Sequence, residues 1–185
     1  EIVVNGWSPS KRNNPFANPG TVVQINMEDA PGSIEDPFKM RKFQAEIEKL
    51  AFNAGGGHLV APAQRMVDFV NNRLSTHLPT NSYIPGTRSA DLASVLPEFI
   101  YKRLQKALPV FGKKMNGYYT NEAILVGVES RTSSPLRIPR DKETLQHPQL
   151  LGLFPCGEGA GYAGGIVSAA IDGMNCADAA FKKLN

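Results

Sequence analysis

The chain has 185 residues, 20 Lys and Arg against 17 Asp and Glu for a formal charge of +3, and 42% hydrophobic residues. That is an ordinary globular composition, with enough apolar material to bury a core without metals or disulfides. Even the apolar run at 123–128 is interrupted by Gly127, so nothing approaches the roughly 18 residues of a membrane-spanning helix. A charge this small, carried by scattered doublets such as Lys11-Arg12, Lys113-Lys114 and Lys182-Lys183, argues against nucleic acid as the partner.

The two cysteines, Cys156 and Cys176, form neither a CxxC pair nor a zinc-spaced cluster, so neither a disulfide scaffold nor a metal site is expected. Residues 1–6 carry no basic leader with a long apolar core, and the expectation is a reducing, cytoplasmic setting.

In chain order, residues 8–19 are rich in Ser, Asn, Pro and basic side chains and predict an irregular loop. The β-branched run Thr21-Val22-Val23-Gln24-Ile25-Asn26, bounded by Pro19-Gly20 and Pro31-Gly32, predicts a strand. Asp36-Pro37 is a helix-start signal. Phe43, Ile47, Leu50, Ala51 and Ala54 then recur at helical spacing until Gly55-Gly56-Gly57. Residues 61–72 predict a weaker helix around Met66, Phe69 and Val70, followed by a polar loop at 75–87.

Ser89 predicts the cap of a short helix reaching Leu96. Pro97 predicts the opening of another, with Ile100, Tyr101, Leu104, Ala107, Leu108 and Phe111 on one face and Pro109 kinking or ending it. Strands are predicted at 121–129, 136–138 and 151–156. The sharpest change of composition comes near Leu150. After it, Gly157, Gly159, Gly161, Gly164 and Gly165 fall within nine positions and run into a helix of small residues. The fold class is therefore α+β (mixed α/β): helices packed on a small sheet over residues 1–150, then a strand, a glycine loop and a helix at 151–185.

The glycine loop is the most informative stretch chemically. Glycines let a backbone approach a ligand closely and reach positive φ. A helix starting near Gly164 would turn its free N–H groups and positive dipole end toward a negatively charged ligand group. On that helix Ile166, Ala170, Gly173, Ala177 and Phe181 share helical spacing, and Gly165, Ala169, Cys176 and Ala180 form a second row. The loop is not a P-loop, because no Lys-Ser/Thr pair follows. It also misses the dinucleotide fingerprint, because Tyr162 stands where the third glycine would be. A ligand-free turn between a buried strand and a buried helix would leave the same pattern.

Several segments together resemble the FAD-dependent dehydrogenases of bacteria, within the NAD/FAD-utilizing flavoprotein superfamily. They include Val4-Asn5-Gly6-Trp7-Ser8, Ala61-Pro62-Ala63-Gln64 and Tyr83-Ile84-Pro85-Gly86, and most specifically Val128-Glu129-Ser130-Arg131-Thr132-Ser133-Ser134-Pro135 and Gly157-Glu158-Gly159-Ala160-Gly161-Tyr162-Ala163-Gly164-Gly165-Ile166. Such proteins are much longer, so the resemblance implies a C-terminal part: residues 1–150 mainly an inserted, substrate-side domain, and 151–185 a return to the FAD-binding domain whose remainder lies upstream. It implies FAD as cofactor in the intact protein and hydride transfer through flavin N5. A small-molecule substrate and NAD(P)H as a candidate electron donor go with it, as does the upstream FAD-binding half as partner.

Carried over residue by residue, Glu158 would meet the ribityl or pyrophosphate region, and the N–H groups of Gly164, Gly165 and Ile166 the pyrimidine edge. Gly157, Gly159, Gly161, Tyr162 and Ala163 would line the loop. Arg131, Thr132 and Ser133 would orient an anionic substrate or the ring carbonyls, although a salt-bridged strand end would look the same. Separated from the upstream half, the chain is expected to be inactive and to hold FAD weakly or not at all. Two other readings stand beside this one: a non-redox ligand-binding or interaction module, and an FAD protein acting on RNA. The histidines His58, His77 and His147 show no catalytic or metal spacing.

Overall fold

The computed structural model describes residues 1–184 as two compact units, one made of Glu1–Asp29 and Phe43–Ser130, the other of Ala30–Lys42 and the chain from Arg131 on. The expected change near Leu150 falls inside the second unit. Residues 131–150 are joined locally to the stretch from Leu153 to Ala160: Ile138 N–H donates to the Ala160 carbonyl and His147 N–H to that of Leu153, at 3.1 and 2.8 Å.

The first unit is α+β. Helix α1 (Lys39–Ala54), which belongs to this unit from Phe43 on, carries the expected spacing, with Phe43, Ile47 and Ala51 buried. The Asp36 carboxylate takes the Phe38 N–H at 3.0 Å at its start, and Gly56 and Gly57, at φ +91° and +85°, turn the chain out of it. Strands β1 (Ala61–Arg65), β2 (Thr87–Ser89) and β3 (Ile124–Val126) form a sheet in the order β2-β1-β3. β1 runs parallel to β2 and antiparallel to β3, pairing Ala61 with Thr87 and Ala63 with Val126.

Residues 61–65, expected as helix, are thus the central strand, and only the short α2 (Met66–Val70) follows. Small side chains at Ala61 and Ala63, fully buried, admit neighbours on both sides. Helix α3 (Glu98–Lys114) opens after Pro97 as expected and runs through Pro109 without ending there. The preceding turn, Leu92–Ser94, is capped by Asp91, while Ser89 belongs to β2.

The core centres on Phe69, whose ring meets Tyr101 edge to face at 4.8 Å. The Tyr101 hydroxyl donates to the Phe69 carbonyl at 3.0 Å. Buried polar groups nearby are paired: the Gln64 amide donates to the Arg73 carbonyl and accepts the Leu92 N–H, and the Arg65 guanidinium holds the carbonyls of His77 and Asn121.

In the second unit, helix α4 (Ile166–Leu184) follows the glycine loop. The strands expected at 136–138 and 151–156 are absent, as is that at 21–26 of the first unit. Apolar or β-branched residues make a strand only where a ladder partner exists. At 151–156 the backbone bonds are those of a turn, Leu153 N–H to the Leu150 carbonyl among them. No described helix is long and apolar enough to cross a membrane.

Candidate functional site

Every residue singled out for the site lies in the second unit, and the structure brings the two sequence segments together. The Ser134 hydroxyl lies 2.8 Å from the Leu136 carbonyl and 3.3 Å from that of Gly159, and Ile138 is bonded to Ala160. The loop is a compact turn closed by Gly161 N–H to the Glu158 carbonyl and Tyr162 N–H to that of Gly157, at 2.9 and 3.0 Å. Glu158 and Gly159 stand exposed at its tip, and Arg131, Thr132 and Ser133 are exposed as well.

Four of the five glycines divide into two kinds. Gly157 and Gly161 sit at φ +69° and +82°, where other residues are strained, and a Cβ at Gly161 would come within 2.7 Å of the Leu136 carbonyl oxygen. Their identity follows from the loop's own shape. Gly159 and Gly164 have neither a positive φ nor a close neighbour: nothing lies within 4 Å of a Cβ at Gly159, and only the Thr132 carbonyl oxygen, at 3.9 Å, near one at Gly164. Glycine costs conformational entropy, so its use where the fold itself has room for a side chain fits a backbone kept clear for something outside.

At the start of α4 the Gly165 N–H is taken by the Ser168 hydroxyl at 3.2 Å, and that hydroxyl donates back to the Gly165 carbonyl at 2.9 Å. This is a capping exchange at the third helical position. Gly164 and Ile166 on either side are exposed, Ile166 at 93%. Tyr162 is held by the chain itself. Its hydroxyl donates to the Ile138 carbonyl at 2.9 Å, and the guanidinium groups of Arg137 and Arg140 lie 4.3 and 3.6 Å from its ring centre.

Two residues that the sequence did not single out dominate the electrostatics. Arg140 and Asp172 form a two-pronged ion pair, at 2.6 and 3.0 Å, with side chains only 11% and 15% exposed. The Asp172 carboxylate also accepts the Gly157 N–H at 2.8 Å. The Arg140 guanidinium, followed by the Gly157 N–H, holds the Asp172 carboxyl below its ordinary value of 3.8, and the same pair raises Arg140. Asp172 and Cys176 occupy one face of α4. The opposite arc leaves Val167, Ile171 and Met174 exposed by 71, 53 and 68%.

Residues 1–132 match the family described as FAD-dependent protein, C-terminal domain-like. The chain belongs to that family. Across its whole length it is 40% identical to an uncharacterized protein of Clostridium beijerinckii, of which it spans 34%. The family match covers the exposed Arg131 and Thr132. The glycine loop lies beyond it, within the part aligned to the clostridial protein. Among the described residues no group of His, Cys, Asp and Glu is arranged to hold a metal ion.

Proposed function

We propose that the chain is the C-terminal part of a longer FAD-dependent oxidoreductase in which residues 157–166 form one wall of the flavin site. The observation that carries this reading is the pair Gly159 and Gly164, glycines whose backbone and surroundings leave room for a side chain. Family membership supplies the cofactor class, and a relative about three times as long leaves room for a separate phosphate-binding half.

When bound, the flavin would supply hydride transfer at its N5, with NAD(P)H as candidate reductant of a small-molecule substrate. This chain's contribution is binding and polarisation. The exposed Glu158 carboxylate accepts hydrogen bonds from ribityl hydroxyls. The N–H groups of Gly164 and Ile166, at the positive end of the α4 dipole, favour negative charge on the ring's pyrimidine edge. Arg131, Thr132 and Ser133 orient an anionic group beside them. The exposed arc of Val167, Ile171 and Met174 docks on the upstream half of the same polypeptide and keeps water from the site.

The test is titration of the full-length polypeptide with FAD, followed by quenching of flavin fluorescence, with Glu158→Ala and Gly164→Val beside the wild type. Saturable binding that both substitutions weaken by about tenfold or more supports the reading. A polypeptide that takes up no FAD, or one indifferent to both changes, overturns it.

A further inference from the structure

We propose that Arg140 and Asp172 are positioning residues of the flavin site, setting the 155–162 loop in the shape that receives the cofactor. This rests on the flavin reading above and adds two residues that lie outside the loop. Asp172 reaches from α4 to the Gly157 N–H at 2.8 Å and holds the guanidinium of Arg140 with both oxygens. Arg140 in turn donates to the Pro155 carbonyl at 2.8 Å and stacks 3.6 Å from the centre of the Tyr162 ring. The pair therefore grips the loop before its first glycine, at that glycine, and again at its last residue. Between those fixed points Glu158 and Gly159 are exposed.

Positioning differs from mere fastening on two physical grounds. A largely buried ion pair gives little net stability over an apolar pair of the same size, because desolvation offsets most of the attraction. What it supplies instead is direction: a planar guanidinium meets a carboxylate, a carbonyl and a ring at fixed angles that neither Lys nor a hydrocarbon reproduces. Pairing also makes Arg140 and Asp172 together neutral, so the carboxylate is offset beside a loop that is to receive an electron-rich ligand. The conservative changes are therefore the informative ones. Arg140→Lys keeps the charge and loses the fork and the stacking, whereas Asp172→Asn keeps an acceptor for Gly157 and loses the charge.

The experiment uses the full-length polypeptide and three readouts: the FAD dissociation constant, the visible circular dichroism of the bound flavin, and amide exchange over α4. Expected for each variant are binding weaker by about tenfold, an altered flavin dichroism, and α4 protection equal to wild type. Unchanged affinity and dichroism overturn the proposal. So does weakened binding that appears only together with lost α4 protection, which makes the pair a helix fastening and nothing more. Failure of the flavin reading itself is seen separately, as a wild-type polypeptide that takes up no FAD, and it removes this proposal as well.

Discussion

The two units are held together by different physics. The first closes a hydrophobic core: Phe69, Leu108, Ala61 and Ala63 are fully buried, and the ring of Tyr101 meets that of Phe69 edge to face. The second is organised by polar contacts between α4 and the 131–162 segment, and it leaves an apolar helix arc in solvent. Burial of apolar surface dominates folding stability, whereas an ion pair fixes geometry more than it stabilises. The first unit thus buries large apolar side chains, whereas the buried apolar residues of the second are small, Ala30, Ala160 and Cys176.

The strongest way to break this comparison is to remove the first core. Phe69→Ala deletes a fully buried ring and its edge contact with Tyr101, and should cost about 4 kcal/mol. Amide exchange should rise through β1 and α3, while peptides covering 155–165 keep their protection. Equal loss in both regions would show a single cooperative structure.

Next in size comes a pair of matched substitutions within the loop. Gly161→Ala forces a Cβ to 2.7 Å from the Leu136 carbonyl oxygen at a φ of +82°, a destabilisation of the order of 3 kcal/mol for the second unit. Gly159→Ala meets open space and should leave amide exchange unchanged. In the full-length polypeptide only the second change separates cofactor binding from folding: FAD affinity falls while exchange over 155–165 stays at the wild-type level. Destabilisation by Gly159→Ala would sink the division of the glycines into those the loop needs and those it keeps clear.

How much of the molecule is legible in its sequence depends on the range of the contacts involved. α1 is readable because its signals are local: Asp36 before it, Phe43, Ile47 and Ala51 along it, and three glycines after it. α3 is readable for the same reason, except that Pro109 does not end it. β1 reads as helix because Ala61-Pro62-Ala63 lacks strand composition, and only pairing with residues far along the chain makes it a central strand. The converse error puts strands at 21–26 and 151–156, where composition favours a strand and no ladder partner exists. The glycine loop is legible from spacing alone. Arg140 and Asp172 are not, because they stand 32 residues apart and neither belongs to a motif.

Thiol labelling sharpens the comparison from another side. Cys156 is exposed and Cys176 is 3% exposed, and burial is the main cause that pushes the Cys176 thiol above its ordinary value of 9.0. One thiol should therefore react rapidly at pH 8 and the other slowly. Since α4 rests on polar contacts on this face, Cys176 should become reactive at urea concentrations below those that expose amides in β1 and α3. Coincident midpoints would mean that the second unit is as stable as the first.

The smallest effect is the acid response of the Arg140–Asp172 pair. The native carboxyl lies below 3.8 while the unfolded one titrates near it, so between those two values the unfolded state binds more protons and stability rises with pH. The pair's stabilisation is complete above the ordinary value and is lost as pH falls below it through the lowered native value. Asp36 and Asp141, also held low by local hydrogen bonds, lie in the same unit, so acid should loosen the second unit while the Phe69 core still holds. The Gly157 amide is the direct probe, because its N–H points at the Asp172 carboxylate. Its resonance should titrate with a midpoint below 3.8 in the wild type and lose that titration in Asp172→Asn. A midpoint at or above the ordinary value would mean that Arg140 does not hold Asp172 in solution, and the loop would then lack the brace that distinguishes this unit from an unsupported glycine turn.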